Sequence, residues 1–527
     1  MLTRISLNPW REDWVYPAVL ILAGFVYYIS YFNYGISLSD EGFFVYGAER
    51  VLRGELPMSD FVSYPPGSYL LLALLFKTFG INLLVSRLME ITFLLLNGIM
   101  VFYIGRRLMP RNMALIPSFL LIAFPGPWHK VFFTFGLLLP LVTFFRFLEK
   151  RTTHRILTVG GAVGAALILK LEPAFYSFCA ILIILFWIHT WKNGKFLVDR
   201  KAVAGFSRNV VLCSLGAIAV VTPVLVYYLW KSSFIKLFSE IREIYGISGL
   251  EALSEYFRQP SLISAMTEFH LGNLANLFFF LILFLYLYLS IKVFVGLFIR
   301  KQEGLLPSLL LLLFGIFSLS YAYAAFGKSH LLQSVAVTYI LFCYVMHRLL
   351  EKKGTKSKIA FVVLVLFLGL YVADSFKWNL YFYSGSISTL YNIKKGGAKQ
   401  ISSDRAKVYV KSRHWYAIEG LLQFFQGKDG YLMSLGFDPM INFLTGLENP
   451  TRFSLLHPAF LSDERKQRRV TEEVERYKVG YLLINRSYRR AEEGIDSYAP
   501  KLYEYLTENY RLQKEIAGYM IFSRRAM

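Results

Sequence analysis

Through residue 377 the chain alternates long apolar stretches with short polar connections. Stretches near 14–34, 83–105, 113–125, 131–148, 156–170, 173–191, 209–230, 272–299, 305–325, 331–350 and 358–377 stand out. Segments such as Leu305–Ala325 and Ile359–Phe376 are long enough, or nearly so, to cross a bilayer core as a helix, which takes about 20 residues. The pattern predicts about eleven transmembrane helices. Between the first two it predicts a helix over Asp40–Arg53, stopped by Gly54, and an extended turn at Tyr64-Pro65-Pro66-Gly67. A further helix over Tyr69–Phe79 is too short to span and is suited to the membrane interface. After residue 377 the pattern changes. Residues 378–400 are polar, contain a Gly-Gly, and read as a linker. Beyond them short apolar strands (Tyr431–Leu435, Gly480–Ile484, Tyr519–Ser523) alternate with helical periodicity (Trp415–Phe425, Glu464–Tyr477, Pro500–Tyr510). That order predicts a small soluble α/β domain over 401–527.

Composition agrees with the pattern. The 527 residues are 55% hydrophobic and only 17% charged, which excludes an ordinary soluble chain. A net charge of +22 raises nucleic acid as a partner. Its distribution argues against one: Arg106-Arg107, Lys150-Arg151, Arg300-Lys301 and Lys352-Lys353 each follow an apolar run, as topology signals do. Cys179, Cys213 and Cys343 lie inside apolar segments, with neither a disulfide framework nor zinc spacing. Trp14–Tyr34 lacks a small-residue cleavage site and reads as a retained span.

With the N-terminus in the cytoplasm, the basic loops fall inside, as the positive-inside rule requires. Asp40-Glu41, Trp128–Lys130, Lys170–Pro173, residues 231–271, Gly327–His330 and the region after Lys377 then share the outer face. The loops rich in ionisable and aromatic residues converge on one side of the membrane.

The adjacent acids Asp40 and Glu41 have an inexpensive explanation. Ser39 is placed to cap the helix, and acids in a first turn interact well with the helix dipole. That does not account for the elaborate loop that follows them. Asp40-Glu41, "GAERVLRGELPMSDF", "YPPGSYLLLALLFKTFG" and the second span "VSRLMEITFLLLNGIMVFYIGRRL" occur in that order. The arrangement resembles the GT-C glycosyltransferases that use polyprenyl-phosphate sugars, the broad group of protein O-mannosyltransferases and the lipid A aminoarabinose transferase. The likeness runs through the multi-span body to about residue 377, as a GT-C-like transmembrane domain (1–377) with its first external loop at 35–82.

The resemblance implies that Asp40 is the general base on an acceptor hydroxyl, which attacks and inverts the sugar C1, and that Glu41 assists binding or tunes the site. A carboxylate within hydrogen-bond reach can take the hydroxyl proton as the new bond forms. Some relatives carry a Lys immediately before the Pro-Pro, where this chain has Tyr64. Another cation is then needed for the donor phosphate. Lys170, beside Glu172 at the outer end of the fifth span, is the main candidate, against the alternative of a snorkelling Lys paired with a nearby acid. Lys328 and His330 are further candidates for phosphate or sugar, and Trp128 and His129 for the sugar, against the ordinary reading of surface loop residues. Arg50 and Arg53 read as the solvated face of the surface helix.

There is no P-loop, Rossmann glycine pattern or GxSxG elbow, and Asp40-Glu41 lacks an oxygen cage for a divalent ion, so neither cofactor nor metal is expected. The reading is a membrane glycosyltransferase with a polyprenyl-phosphate sugar donor and a lipid, glycan or protein acceptor. Its rivals are a flippase of lipid-linked sugars and a non-catalytic envelope scaffold. A transporter would place its ionisable groups near the midplane of repeated halves, and no repeat is visible.

Overall fold

The computed structural model describes residues 14–124, 126–192, 194–232, 274–300, 305–324, 328–352, 354–382, 397–436, 438–454, 456, 461, 463–485 and 495–525. The expected outer loop 231–271 from residue 233 on, and most of the 378–400 linker, lie outside these. The chain forms two compact units: Met1–Tyr28, Glu90–Tyr227 and Leu253–Asn379 make the first, and Ile29–Met89, Tyr228–Ala252 and Leu380–Met527 the second.

The first unit is helical. Each of the eleven apolar stretches has its helix: Val15–Ile29, Leu83–Gly105, Arg111–Ala123, Val131–Glu149, Thr153–Leu169, Leu171–Thr190, Arg200–Lys231, Leu274–Phe294, Leu306–Ala324, Ala336–Leu350 and Thr355–Phe382. Among the described residues six segments are long and apolar enough to span a membrane by themselves, and the others are shorter apolar helices. The protein is a multi-pass membrane protein. Arg200–Lys231 and Thr355–Val372 have only 11% and 6% of their most apolar windows buried within the protein, as expected where lipid is the solvent.

Packing within this unit uses small residues as well as a leucine- and phenylalanine-rich core around Leu137, Leu141, Phe144, Ile184, Leu311 and Ile340. A Cβ at Gly160 would lie 1.9 Å from the Cys213 carbonyl oxygen, one at Gly164 2.6 Å from that of Ala217, and one at Gly216 2.1 Å from that of Leu157. Gly160 and Gly164 are four apart on one helix face, so the two backbones touch where lipid supplies no hydrophobic drive for helix association. Two breaks interrupt the helices. Lys170 is extended (φ −160°, ψ 130°) between Thr153–Leu169 and Leu171–Thr190. The stretch expected as one helix over 331–350 is split into Lys328–Ser334 and Ala336–Leu350. At that split Ser334 Oγ donates to the His330 carbonyl (2.9 Å) and Ser318 Oγ to the Ser334 carbonyl (2.9 Å), giving backbone acceptors partners outside the helical ladder. Residues 328–330, expected in a loop, are therefore helical.

In the second unit the strands Leu432–Ser434, Tyr481–Asn485, Tyr519–Arg524 and Tyr510–Ile516 lie side by side in that order. The first pair is parallel and the others antiparallel. Ala517 and Gly518, at φ 47° and 90°, make the two-residue reversal that brings the last two strands together. Glu464–Arg476 turns Val470 and Val474 into the core, and Asp463 caps it by accepting from the Arg465 amide at 2.8 Å. The expected strands and helices are present with ends shifted by three residues at most, while Tyr510–Ile516 was not foreseen. It is an edge strand whose residues 511–515 are all exposed, so it carries no hydrophobic alternation. A short hairpin pairs Ala398–Gln400 with Tyr409–Lys411, and the latter also bonds residues 33–35.

Candidate active site

Asp40 opens the helix Asp40–Leu52 in the second unit, half-buried. Ser39 occupies the N-cap position, but its side chain makes no capping hydrogen bond, which corrects the sequence expectation. The start of the helix is held instead through Glu41. Arg87, in the first turns of Leu83–Gly105, donates from Nε to Glu41 Oε1 (2.7 Å) and from Nη2 to Oε2 (3.0 Å). The same guanidinium donates to the carbonyls of Phe32 (2.6 Å) and Gly35 (2.8 Å), and the Ser37 amide donates to Glu41 Oε2 (3.1 Å). Arg87 and Glu41 are both buried. One fork thus ties the turn before the helix, the helix start and residues 83–89, which belong to the same unit, together. The sequence reading missed Arg87. Its signal was an arginine near the N-terminus of an apolar helix, where the dipole is unfavourable to a cation and an anionic partner is needed.

The rest of this helix is seated on residues 401–454, which belong to the same unit. A Cβ on Gly42 would fall 2.3 Å from the Met440 amide nitrogen, and that amide donates to the Leu38 carbonyl at 3.1 Å. Arg405 Nη1 donates to Glu49 at 2.8 Å. Arg50, expected on a solvated face, is fully buried: it pairs with Glu55 at 2.5 Å and donates to Ser454 Oγ and the Thr451 carbonyl. Arg53 is partly buried beside Glu49 and Tyr46. The basic residues of this helix are anchors. Tyr64 is exposed at the Pro-Pro turn, its ring edge-on to Phe43 at 5.7 Å.

Beside the helix start lies a buried acid. Asp438 accepts from Asn485 Nδ2 at 2.9 Å and hydrogen-bonds Tyr519; burial raises its pKa above the usual carboxylate range, and those two hydrogen bonds oppose the rise.

The other expected residues gather in the first unit. Lys170, buried at the helix break, lies 3.7 Å from Glu172. One turn on from Glu172, Tyr176 meets Phe133 (6.4 Å); Phe133 stacks on Tyr321 (4.6 Å), and Tyr321 packs on His330 (5.1 Å). An aromatic chain therefore links the Lys170–Glu172 break to His330. Trp128 and His129 lie in the short helical turn Trp128–Lys130 that leads into Phe133. Trp128 is buried and edge-on to Tyr28 at 5.7 Å, a different placement from an exposed platform for a sugar. The Lys328 side chain lies outside the described residues. Among the described residues no three His, Cys, Asp or Glu side chains group as metal ligands.

No protein-family model and no curated protein sequence matches the chain. Solved structures do. ArnT from Cupriavidus metallidurans bound to undecaprenyl phosphate superposes with a TM-score of 0.54 at 11% identity, covering 99% of both chains. The same protein in its apo state gives 0.50 at 11% identity, covering 97% of both. An oligosaccharyltransferase from Archaeoglobus fulgidus, solved with zinc and sulfate, gives 0.52 at 12% identity over 97% of this chain and 73% of the other. From its first helix to its C-terminal sheet, the chain has the fold of the GT-C glycosyltransferases.

Proposed function

We propose that the chain is an integral-membrane glycosyltransferase that moves a monosaccharide from a polyprenyl phosphate to a hydroxyl of a lipid, glycan or protein on the outer face of the membrane. Asp40 takes the hydroxyl proton while the acceptor oxygen bonds to the sugar C1. The C1–O bond to phosphate breaks on the opposite face, the configuration inverts, and polyprenyl phosphate leaves. Glu41 positions this base through Arg87. Lys170 and His330 contact the donor, with Glu172 orienting Lys170 and Tyr64 bordering the sugar.

The observation that carries this reading is the division of labour in the acid pair. Glu41 commits both carboxylate oxygens to Arg87 and Ser37, which fixes the start of the helix, and Asp40, one residue earlier, is half-buried at its head. A fixed, partly solvated carboxylate is what general-base chemistry on a hydroxyl requires. The similarity in fold, over nearly the whole of both chains, to a protein solved with undecaprenyl phosphate supports this donor class.

The test is transfer by the purified protein. A polyprenyl-monophosphate sugar should serve as donor, and a nucleotide sugar without lipid carrier should not. Efficient transfer from the nucleotide sugar would sink the mechanism, and lipid-linked sugar crossing vesicles without transfer would favour a flippase.

A further inference from the structure

A cavity of about 440 Å³ opens in the first unit where the helices Leu274–Phe294, Leu306–Ala324 and Ala336–Leu350 meet. Leu312 and Leu341 are among its apolar walls, and its rim carries Lys292, Arg300, Arg348 and Lys352. The four cations are exposed, while both leucines are buried. Arg348 is paired with Glu351. Among the described residues Lys292, Arg300 and Lys352 have no carboxylate partner, and Lys292 lies over the Tyr288 ring at 4.7 Å. The backbone leading to Arg300 is a π-helical turn, Val295–Ile299, a wide turn often retained at functional sites.

This is not the candidate active site. Ser308, near the start of Leu306–Ala324, lines the cavity, whereas Tyr321 of the same helix packs on His330. At 1.5 Å per residue the two lie about 20 Å apart along the axis, most of a bilayer core. The cavity sits at the end marked by Arg300 and Lys352, the side assigned to the cytoplasm by the basic loops.

We propose that this cavity binds an anionic phospholipid, one acyl chain against Leu312 and Leu341 and the phosphate among Lys292, Arg300 and Lys352. Charge complementarity selects the occupant. Three cations without carboxylate partners among the described residues favour an anionic head group, and the leucine walls suit a hydrocarbon chain and not a soluble anion. Basic pockets between membrane helices on the cytoplasmic side recognise anionic lipids on these grounds.

The full-length protein would be released from bilayers of equimolar phosphatidylglycerol and phosphatidylcholine, and its retained lipid counted by native mass spectrometry. Wild type should retain phosphatidylglycerol in preference. The triple variant Lys292→Gln, Arg300→Gln, Lys352→Gln should lose the preference, on the order of fivefold per cation. Leu312→Trp, which fills the cavity and keeps every charge, should lose it too. The control Lys195→Gln, Arg200→Gln, Lys201→Gln, in another basic loop, should keep it. Equal retention of both lipids by wild type would overturn the proposal. So would an equal loss in the control, full retention in Leu312→Trp (surface attraction only), or displacement by soluble glycerol phosphate as readily as by the lipid. Should the triple variant fail to fold, Leu312→Trp decides.

Discussion

Arg87 and Glu41, 46 residues apart in the chain, form a buried two-point ion pair with both N–H···O distances at 3.0 Å or less. The pair holds the start of the Asp40 helix to residues 83–89, in the same unit, and to the turn at residues 32–35. Breaking such a pair from one side leaves an uncompensated buried charge, at a cost of about 3–5 kcal/mol.

Arg87→Met and Glu41→Leu should therefore each lower the melting temperature and sharply reduce transfer. The double variant Arg87→Met, Glu41→Leu should recover stability above Arg87→Met while remaining poorly active. Thermal unfolding read alongside transfer separates the two effects. Additive losses in the double variant would mean that the residues act independently.

Asp40→Asn removes the proton acceptor and little volume. Transfer should fall by about 100-fold or more, with folding and donor binding near wild type. Turnover near wild type in the purified variant would remove Asp40 from the role of base.

Lys170→Ala should weaken donor binding or turnover more than Lys356→Ala, an exposed lysine at the start of Thr355–Phe382. A charge-assisted contact to phosphate is about twice as strong as a neutral one, so the loss should appear mainly in the donor KM. Equal donor KM values for the two variants would leave Lys170 a structural lysine.

Gly42→Ala places a methyl group against the Met440 backbone, which has no rotamer by which to yield. The overpacking should cost about 1–3 kcal/mol and loosen the Asp40 helix, reducing transfer and exposing residues 401–454 to protease. Gly369→Ala is the matched control. Nothing lies within 4 Å of its Cβ position, and it should be silent.

Asp438 gives a pH signature. Its carboxyl is held above its unfolded value by burial, so the folded state binds its proton more tightly than the unfolded chain does. Stability from this group is fully present below the unfolded carboxylate pKa and is lost as pH rises through the raised folded value. Asp438→Asn should therefore raise the melting temperature at neutral pH, and the gain should shrink towards zero as pH falls to the ordinary Asp range. A gain independent of pH would assign the effect to packing.

The membrane helices and the order of the C-terminal elements were legible in the sequence because each depends on local chain properties. An apolar run of bilayer length, or an alternating strand pattern, needs no knowledge of its neighbours. The acid pair at Asp40 and Glu41 was likewise visible, as was the break at Lys170-Leu171-Glu172-Pro173. Tertiary structure decided which charges are partners. Arg50 reads as a surface cation until Thr451 and Ser454, 401 and 404 residues away, enclose it. The adjacency of Glu41 to Asp40 is visible in the sequence, and only the fold shows both its oxygens bonded to Arg87. Helix periodicity does not mark Gly160 and Cys213 as a backbone contact either, because that depends on the facing helix. Burial and ion pairing are properties of pairs, and a pair distant in the chain is chosen only when the fold closes around it.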